Sequence, residues 1–501
     1  MIGSGRDERA RLAKRLERDA RRARGFAKLR SNMRVPALTA VFSLLAAFVP
    51  VAACYSGSTS APSSGPPTFH KDVAPILQTH CQGCHTQGGI APFSLLTFDD
   101  AKANAANIVA QTGARNMPPW GAQETSECTP PFKWKHDERL SDAQIKTLHD
   151  WHAAGELEGD PKDAPPPRTP PSDALANPSV ELKPQGPYTV ADPSNDNFRC
   201  FVIDPKLTTT QYVNGSQVLP GNKTIVHHVL VFTDPMGESA KKQLGPDGGY
   251  DCFGGVGLQN TQLLAAWAPG APAIDYPPNV GLKVDPGTKY VMQVHYHPHS
   301  ATASLAPDLT SFQVRYTQGV PEWSMLNALI GNFDKQEANG DGLQPDPASP
   351  ATPPKFVIPA NQRGVVKTMK LTVPPMANGG TVPTLYVYGV GGHMHYVGTD
   401  VKVSIHHRTA NDSPDGCMVQ IPRWDFNWQR FYYFDADIQS LPSVKPFDSI
   451  EIRCTYDNSM ENPKMRGALV EQGLSQPRDV SLGETTLDEM CLGVFALIYK
   501  P

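Results

Sequence analysis

Six side chains beyond residue 226 have the chemistry of metal ligands, and they form two sets. The three-histidine set is His227, His228 and His295. The His-Met set is His393, His395 and Met490. Imidazole binds copper, zinc, iron or nickel, whereas a thioether is a soft ligand that favours copper, especially Cu(I). The two sets therefore predict two copper ions, and the site with Met490 is expected to be the softer one.

A CxxCH motif further upstream predicts one covalently bound haem c. Cys81 and Cys84 provide the two thiols that attach the porphyrin, and His85 provides the proximal iron ligand. Met117, which precedes two prolines, is the predicted distal ligand. Three alternatives for that coordination position stay open: His80, His136 and a water molecule.

The spacing of the histidines constrains how they share a metal. Residues i and i+2 of a strand point to the same face, so His393 and His395 are a good chelating pair while Met394 faces away. His227 and His228 are neighbours, so they share a metal only if the backbone is distorted or they bind through different ring nitrogens. Three histidines of the next strand share one face, and spacing alone does not choose among them: His295, His297 and His299.

Two kinds of element must position these groups. Residues 68–158 are predicted to form a small all-α, cytochrome c-like haem domain, with a helix that leads into Cys81. The stretch 140–155 should be its closing helix, because Ser141 is a good N-cap and Ile145, Leu148 and Trp151 share one face. Residues 159–188 are rich in proline and predict an extended linker.

The rest of the chain predicts short strands separated by turns. The predicted strands are 198–203, 224–232, 289–297, 311–316, 371–374, 384–397, 401–405, 449–456 and 492–499. Such a pattern is typical of antiparallel β-sandwiches. We therefore expect two all-β, jelly-roll-like sandwich domains, residues 189–322 and 323–501, after the all-α domain.

The N-terminal region predicts export. Residues 1–54 contain an apolar run, 35–53, that ends in Val51-Ala52-Ala53-Cys54, a lipobox-like sequence. We expect lipidation of Cys54, a flexible tether over 55–67, and attachment to a bacterial cell envelope on the periplasmic side. Ordinary signal cleavage nearby and an uncleaved anchor are the alternatives, and translation starts at Met1 or Met33.

Export also accounts for the cysteines and the charge. Six cysteines remain after lipid and haem attachment, and disulfides persist in an oxidising compartment. Their pairing does not follow from the sequence. Residues 1–53 carry 12 Lys/Arg and 4 Asp/Glu, which leaves 33 basic and 45 acidic residues in the rest of the 501-residue chain. This excess of acidic residues argues against nucleic acid as a partner.

From about residue 190 to 499 the chain resembles the copper type II, ascorbate-dependent monooxygenases, a family that includes peptidylglycine α-hydroxylating monooxygenase and dopamine β-hydroxylase. The segments that carry the resemblance occur in the family's order: VHHVLVF, LLAAWAPGAP, GTKYVMQVHY, GGHMHYVG and TTLDEMC. The resemblance implies that the three-histidine set holds one copper and the His-Met set the other. His297 and His299 have no counterpart in the family. It also implies disulfides Cys454–Cys491 and Cys200–Cys252, and leaves Cys128 and Cys417 unassigned.

The resemblance also implies what each site does. Met490, His393 and His395 would hold the copper where O2 reacts and an aliphatic C–H bond is hydroxylated, and the three-histidine copper would store the second electron. Two departures argue against a peptidylglycine substrate: Gly391 replaces an Arg that anchors the substrate carboxylate, and Leu492 replaces an Asn.

The expected function is therefore an oxidoreductase, a copper monooxygenase that hydroxylates a small organic substrate. Its electrons would come from a periplasmic donor through the fused haem in place of ascorbate. The alternative is a non-catalytic periplasmic lipoprotein for electron transfer or copper handling. The sequence does not identify the substrate, the donor or the oligomeric state.

Overall fold

The computed structural model describes most of the chain after residue 64. The described residues are 65–87, 91–166, 174–193, 195–252, 255–268, 271–298, 304–332, 355–377, 379–409, 415–483, 485 and 487–501. The predicted export segment with its lipobox at Cys54, most of the tether, and His299 lie outside them. Among the described helices, none is both long and apolar enough to cross a membrane.

Residues 65–158, which we call the helical module, contain four short α-helices after a π-helical turn at Phe69–Val73. They are α1 Ala74–His80, α2 Phe98–Ala103, α3 Ala105–Gly113 and α4 Asp142–Ala153. Three 3-10 turns are described after the module, at Pro161–Asp163, Glu238–Lys241 and Ile438–Ser440. Helix α4 begins as predicted, since the Ser141 side chain accepts from the Gln144 N–H in a capping box. Leu148 and Trp151 on α4 are fully buried in the module's core, which confirms the predicted apolar face.

The remainder is mostly β-sheet, as predicted for sandwich domains. The strands up to residue 332 are β1 Val180–Leu182, β2 Asn197–Ile203, β3 Gln211–Leu219, β4 Val226–Asp234, β5 Gly249–Asp251, β6 Gln262–Trp267, β7 Ile274–Asp275, β8 Val280–Val284, β9 Lys289–Tyr296, β10 Ser311–Tyr316 and β11 Trp323–Gly331. The later strands are β12 Val357–Ile358, β13 Arg363–Thr372, β14 Met376–Ala377, β15 Gly380–Thr381, β16 Leu385–His393, β17 Gly398–His406, β18 Gly416–Ile421, β19 Tyr432–Tyr433, β20 Ser443–Val444, β21 Ser449–Asp457, β22 Val480–Ser481 and β23 Leu492–Tyr499.

One large sheet runs through both predicted sandwiches. Its strand order is β1-β10-β3-β8-β11-β23-β16-β19. Strand β11 joins the two halves, because it pairs in parallel with β8 and antiparallel with β23. A five-stranded sheet, β5-β2-β9-β4-β6, accompanies the N-terminal half, and β6 contacts both β3 and β11. A four-stranded sheet, β13-β21-β17-β18, accompanies the C-terminal half, with contacts from β16 to β17 and β18.

The sequence pattern located strands better than it located their ends. Strands β10 and β23 match the predicted ranges residue for residue. The predicted strand 384–397 is shorter in the structure, where β16 ends at His393. Several strands were missed, among them β3 and β11, and so was helix α5, Pro463–Glu471. Strand β3 has a Gly, an Asn and two Gln among its nine residues, so its composition is not typical of a strand.

Three disulfides are present among the described residues. Cys454–Cys491 and Cys200–Cys252 confirm the two pairs that the family resemblance implies. The third, Cys128–Cys417, joins the two cysteines that had no assigned partner. Because Cys128 belongs to the helical module and Cys417 to β18, this disulfide ties the module covalently to the C-terminal sandwich.

Backbone pairing and aromatic packing reinforce that attachment. The backbone N–H of Lys135 donates to the Tyr433 carbonyl at 2.8 Å, and the N–H of Asp435 donates to the Lys133 carbonyl at 2.9 Å. The Trp134 ring stacks on Phe434 with the ring centroids 4.8 Å apart. The module segment around Trp134 therefore acts as an added strand beside β19, and its aromatic rings belong to the core of the sandwich.

Candidate metal centres

The neighbours His227 and His228 are brought to one site by a β-bulge. Along the pairing of β4 with β9, Val226 lies opposite Tyr296 and His228 lies opposite His295. His227 is thus the extra residue of the bulge, which bends the strand and redirects a side chain. This is the first of the two alternatives given for the neighbours, a distorted backbone, and it places His227 beside the cross-strand pair His228 and His295.

The ring nitrogens of the three-histidine set converge. The Nδ1 atoms of His227 and His295 each lie 3.2 Å from the Nδ1 atom of His228. One ligand atom from each of the three histidines lies within 4.8 Å of the others. Three convergent imidazole nitrogens without a counter-charge between them form a suitable site for a copper ion.

The buried carboxylate of Asp196 orients His295 through the ring nitrogen that does not face His228. Asp196 Oδ1 accepts from His297 Nδ1 at 2.6 Å and lies 3.2 Å from His295 Nε2. With Nε2 of His295 directed at Asp196, Nδ1 is the nitrogen directed at His228. Burial raises the pKa of Asp196, but its contacts with His295 and His297 outweigh burial and hold that pKa well below its usual range. A carboxylate–histidine pair of this kind fixes the tautomer of a metal ligand. His297, which has no family counterpart, thus lies next to the site.

The two histidines of the His-Met set are oriented by hydrogen bonds that leave the opposite nitrogen, Nε2, for a metal. His393 Nδ1 donates to Gln429 Oε1 at 2.6 Å, and the Gln429 amide is fixed because its Nε2 donates to the Phe426 carbonyl at 3.0 Å. His395 Nδ1 donates to the Asp488 carbonyl at 3.0 Å. The two rings lie 5.1 Å apart. Met394 between them is fully buried in the core, so it faces away as predicted.

Glu489 holds the backbone of the His-Met set together. Its Oε2 accepts from the N–H groups of His395 at 2.8 Å and of Met490 at 3.1 Å. Its Oε1 accepts from the N–H groups of Val397 and Gly398 at 3.0 and 3.1 Å. Burial raises the pKa of Glu489 to about 8, although these four donors act to lower it. One carboxylate therefore links the loop that follows β16 to the segment that carries Met490.

The segment with Met490 is also fixed on its other side. The Tyr456 hydroxyl donates to the Met490 carbonyl at 2.7 Å, and the Cys491 N–H donates to Asn332 Oδ1 at 2.6 Å. Gly331 has a φ of 132°, and a Cβ at this position would collide with the Cys491 carbonyl, so only glycine permits this close approach. Met490 itself is 5 % exposed.

The two sets lie next to each other. The rings of His228 and His393 are 6.4 Å apart between centroids. The Phe426 ring stacks on His227 at 4.5 Å and meets His395 edge-on at 5.8 Å. Phe426 therefore contacts one ligand from each set.

Burial keeps these histidines neutral. It lowers the pKa of His393 to about 4 and that of His395 to about 3. The pKa values of His227 and His228 are also lowered well below the usual value, first by burial and then by the neighbouring histidines. A neutral imidazole has a free lone pair, which is the form that binds a metal.

The CxxCH residues lie together at the end of α1. Cys81 and Cys84 are thiols outside the three disulfides. Burial raises the pKa of Cys81 to about 12, with a smaller contribution from Cys84. His85 Nδ1 donates to the Phe93 carbonyl at 3.0 Å, which leaves Nε2 as the lone-pair nitrogen. Two thiols and a histidine of this tautomer fit the attachment of a haem c.

Met117 lies in the segment between α3 and α4 of the module. It is half-buried and lines a cavity of about 210 Å³ together with Trp120, Leu140 and Ile145, among other residues. Of the alternative ligands, His80 has both ring nitrogens in polar contacts, at 3.1 Å from the Glu138 carbonyl and 3.1 Å from Gln144 Nε2. His136 is exposed.

Four residues that position the ligands were missed by the sequence argument. They are Asp196, Gln429, Glu489 and Trp424, whose indole N–H donates to the His395 carbonyl at 3.1 Å. Glu489 stands next to Met490 in the chain, so its position was a usable signal. Asp196 and Gln429 are remote in sequence from the ligands that they contact, and only the fold brings them close.

Comparisons with known proteins agree with this geometry. Residues 188–303 match the family described as copper type II ascorbate-dependent monooxygenase, N-terminal domain, and this range contains the three-histidine set. The chain is 23 % identical over 297 residues to DBH-like monooxygenase protein 1 of Gallus gallus, which covers 56 % of this chain and 40 % of that protein. It is 32 % identical over 147 residues to peptidyl-glycine alpha-amidating monooxygenase A of Xenopus laevis, which covers 26 % of this chain and 15 % of that protein.

The chain thus spans less than half the length of these two relatives. The domain match and the relatives support a copper monooxygenase, and the histidine clusters are able to bind the metal.

Proposed function

We propose that this protein is a copper monooxygenase that hydroxylates an aliphatic C–H bond of a small organic substrate with O2. The observation that carries the proposal is the adjacency of the two ligand sets, with His228 and His393 only 6.4 Å apart between ring centroids. A protein that only stores or carries copper needs one such set. Two unequal sets in contact suit a reaction in which one oxygen atom enters the substrate and the other leaves as water, which consumes two electrons and two protons.

The residues of both sets fit copper. The three-histidine set offers three imidazole nitrogens, and the His-Met set offers two imidazoles and, from a buried segment, a thioether. Copper, when bound, supplies the one-electron redox chemistry that O2 requires, and the thioether of Met490 favours the Cu(I) state. The chain's own contribution is to keep the imidazoles neutral, to fix their tautomers through Asp196 and Gln429, and to hold the ligand segments through Glu489.

We further propose that residues 68–158 bind a haem c through Cys81, Cys84 and His85, with Met117 as the distal ligand. The fixed tautomer of His85 supports this assignment, and so does the engagement of both ring nitrogens of His80. The haem would receive electrons one at a time from a periplasmic donor. The three disulfides are consistent with an oxidising compartment, and lipidation of Cys54 would attach the protein to the membrane surface.

Oxygen consumption tests the monooxygenase proposal. Protein matured in a periplasm should contain two copper ions and one haem, and after reduction it should consume O2. Met490→Ala should abolish O2 consumption while haem content stays unchanged. Met236→Ala is the matched control, since Met236 is 66 % exposed and should behave like the wild type.

Two outcomes would count against the proposal. Unchanged O2 consumption in Met490→Ala would remove Met490 from the oxygen site. A wild-type protein that contains copper and haem, yet consumes no O2 with any of a panel of small organic substrates, would favour the non-catalytic alternative of electron transfer or copper handling.

A further inference from the structure

The helical module is attached to the strand that ends in the His-Met set. Strand β16 ends at His393, and its neighbour β19 pairs with it through Val390 and Tyr432. The Tyr432 hydroxyl accepts from the backbone N–H groups of Gly121 and Ala122 in the module, at 3.0 and 3.2 Å. The module therefore contacts β19, the strand that pairs with β16 three residues before His393.

Arg430 is the side chain that crosses this contact. Its Nη1 donates to Glu138 Oε2 at 2.9 Å, and its guanidinium lies 5.2 Å from the centre of the Trp120 ring. Trp120 lines the same cavity as Met117. Arg430 follows Gln429, whose Oε1 accepts from His393 Nδ1 at 2.6 Å. Arg430 thus contacts Glu138 and the Trp120 ring of the helical module through its guanidinium, and along the chain it adjoins Gln429, the hydrogen-bond partner of His393.

The same route reaches the haem attachment motif on the module side. The Glu138 carbonyl accepts from His80 Nδ1 at 3.1 Å, and His80 is covalently next to Cys81. The connection consists of chain bonds and three hydrogen bonds, His80 to Glu138, Arg430 to Glu138 and His393 to Gln429. The Cys128–Cys417 disulfide and the Trp134–Phe434 stack hold both sides of it in place.

We infer that electrons from the haem enter the His-Met set first, through Glu138, Arg430 and Gln429, and reach the three-histidine set only afterwards. This inference rests on the proposed function. With haem held by Cys81, Cys84 and His85, such a transfer would oxidise ferrous haem to ferric haem and reduce Cu(II) held by His393, His395 and Met490 to Cu(I), one electron lost for one gained. The His228–His393 contact then provides the route onward. A copper at the three-histidine set would therefore store the second electron, and it would receive that electron from the His-Met set and not directly from the haem.

The first test follows a single electron under anaerobic conditions. Haem and copper contents are measured, and oxidised protein is then mixed with less than one equivalent of reductant. Haem reoxidation is followed by its visible absorption, and freeze-quenched EPR identifies the Cu(II) signal that disappears. We expect the signal of the His-Met set to disappear first. The double variant His227→Ala/His228→Ala should keep the wild-type rate, whereas His393→Ala/His395→Ala should slow haem reoxidation at least about tenfold.

The second test changes the connection and leaves the ligands intact. Arg430→Met keeps the length of the side chain but loses the ion pair and the guanidinium, and it should slow haem reoxidation about tenfold at unchanged haem and copper content. Glu138→Gln, which keeps the shape of the side chain, should act in the same direction. Arg423→Met is the matched control. Arg423 donates to the Ala114 and Arg115 carbonyls at the same contact, and its loss should leave the rate unchanged.

The outcomes separate this inference from the proposed function. Prior loss of the three-histidine EPR signal, or wild-type transfer rates in both Arg430→Met and Glu138→Gln, would overturn the route and leave the monooxygenase proposal standing. Equal slowing in Arg430→Met and Arg423→Met would also overturn it, because the effect would then come from docking alone. A protein that takes up no haem or no copper would overturn the proposed function together with this inference.

Discussion

The two ligand sets are built by different means. The three-histidine set stands on two paired strands, where the register of β4 against β9 and one bulge bring the ligands together. The His-Met set lies at the end of β16 and in the segment before β23. Its parts are held by hydrogen bonds that Glu489 and Gln429 accept. The hydrogen-bonded register of the sheet fixes the positions of ligands on paired strands. The positions of ligands on loops are fixed by a few polar contacts. The second should therefore be much easier to break with a single substitution.

Glu489→Ala is expected to have the largest effect. It removes the acceptor of four buried N–H groups, and each buried donor that loses its partner costs about 1–3 kcal/mol. We expect the free energy of unfolding to fall by about 3 kcal/mol or more, and the His-Met copper to be lost while the three-histidine copper remains. Chemical denaturation and metal analysis measure the two effects.

The matched control for Glu489→Ala is Glu322→Ala. Glu322 is exposed and pairs with Lys500 at 3.3 Å on the surface, so its loss should change the free energy of unfolding by less than about 0.5 kcal/mol. If Glu489→Ala kept both copper ions, the loop-borne set would not depend on this carboxylate and the comparison between the two sets would fail.

Asp196→Asn should weaken the three-histidine set without dismantling it. The amide keeps the size of the side chain but loses the charge that orients His295 and His297. Loss of such an outer partner typically lowers metal affinity about 10–100-fold. Copper titration should show this loss at the three-histidine set alone. Asp251→Asn is the control, because Asp251 is 87 % exposed and pairs with Arg199; equal weakening in both variants would mean that charge in general, and not this contact, controls the affinity.

The fold class and the ligands were more predictable than the contacts that orient the ligands. A short apolar run located β23, and a distorted backbone at His227 and His228 was one of the two ways in which these neighbours were expected to share a metal, which the bulge confirms. By contrast, Asp196 stands 99 residues before His295, and Gln429 stands 36 residues after His393. No local pattern encodes such a pairing, because it arises when separate strands and loops pack together.

The attachment of the helical module was unpredictable for the same reason. Cys128 and Cys417 are separated by 289 residues, and nothing in their local sequence distinguishes them from the other cysteines. Trp134 and Phe434 stack across a similar separation. The sequence shows that a haem motif and copper ligands share one chain, but only the packing shows which ligand set lies next to the module.

The pH dependence of the metal-free protein should reveal the buried histidines. Unfolded histidine titrates near 6.5, while burial lowers the pKa of His393 to about 4 and of His395 to about 3. Between pH 6.5 and about 4, His393 and His395 therefore bind more protons in the unfolded state than in the folded state. The stability that these two histidines contribute is fully present above pH 6.5 and is lost as the pH falls. From pH 6.5 to 5.5 we expect a loss of about 1 kcal/mol for each histidine, partly offset by Glu489, whose pKa burial raises to about 8 so that the folded state holds a proton there.

Urea unfolding at each pH measures this loss. His149→Gln removes a histidine whose side chain is 65 % exposed and should leave the slope unchanged. Saturation with copper should keep or steepen the slope, because bound metal also holds the imidazoles deprotonated in the folded state while the unfolded histidines still take up protons. A metal-free protein that became more stable as the pH fell would contradict the expectation that these ligands are buried and neutral.

Phe426→Leu should have the smallest effect, and it tests whether the two sets are independent. The Phe426 ring contacts His227 and His395, one ligand from each set, but it offers no donor atom to a metal. Leucine keeps the apolar contact and loses the ring stacking, so the free energy of unfolding should fall by about 1 kcal/mol. Both Cu(II) EPR spectra should be retained, as should the Gln429 contact with the backbone of residue 426.

Phe447→Leu, at an exposed ring, is the control with a smaller change in stability. Loss of either copper in Phe426→Leu would mean that the ring is part of one joint site, and the strand-borne and loop-borne sets would have to be treated as a single structure.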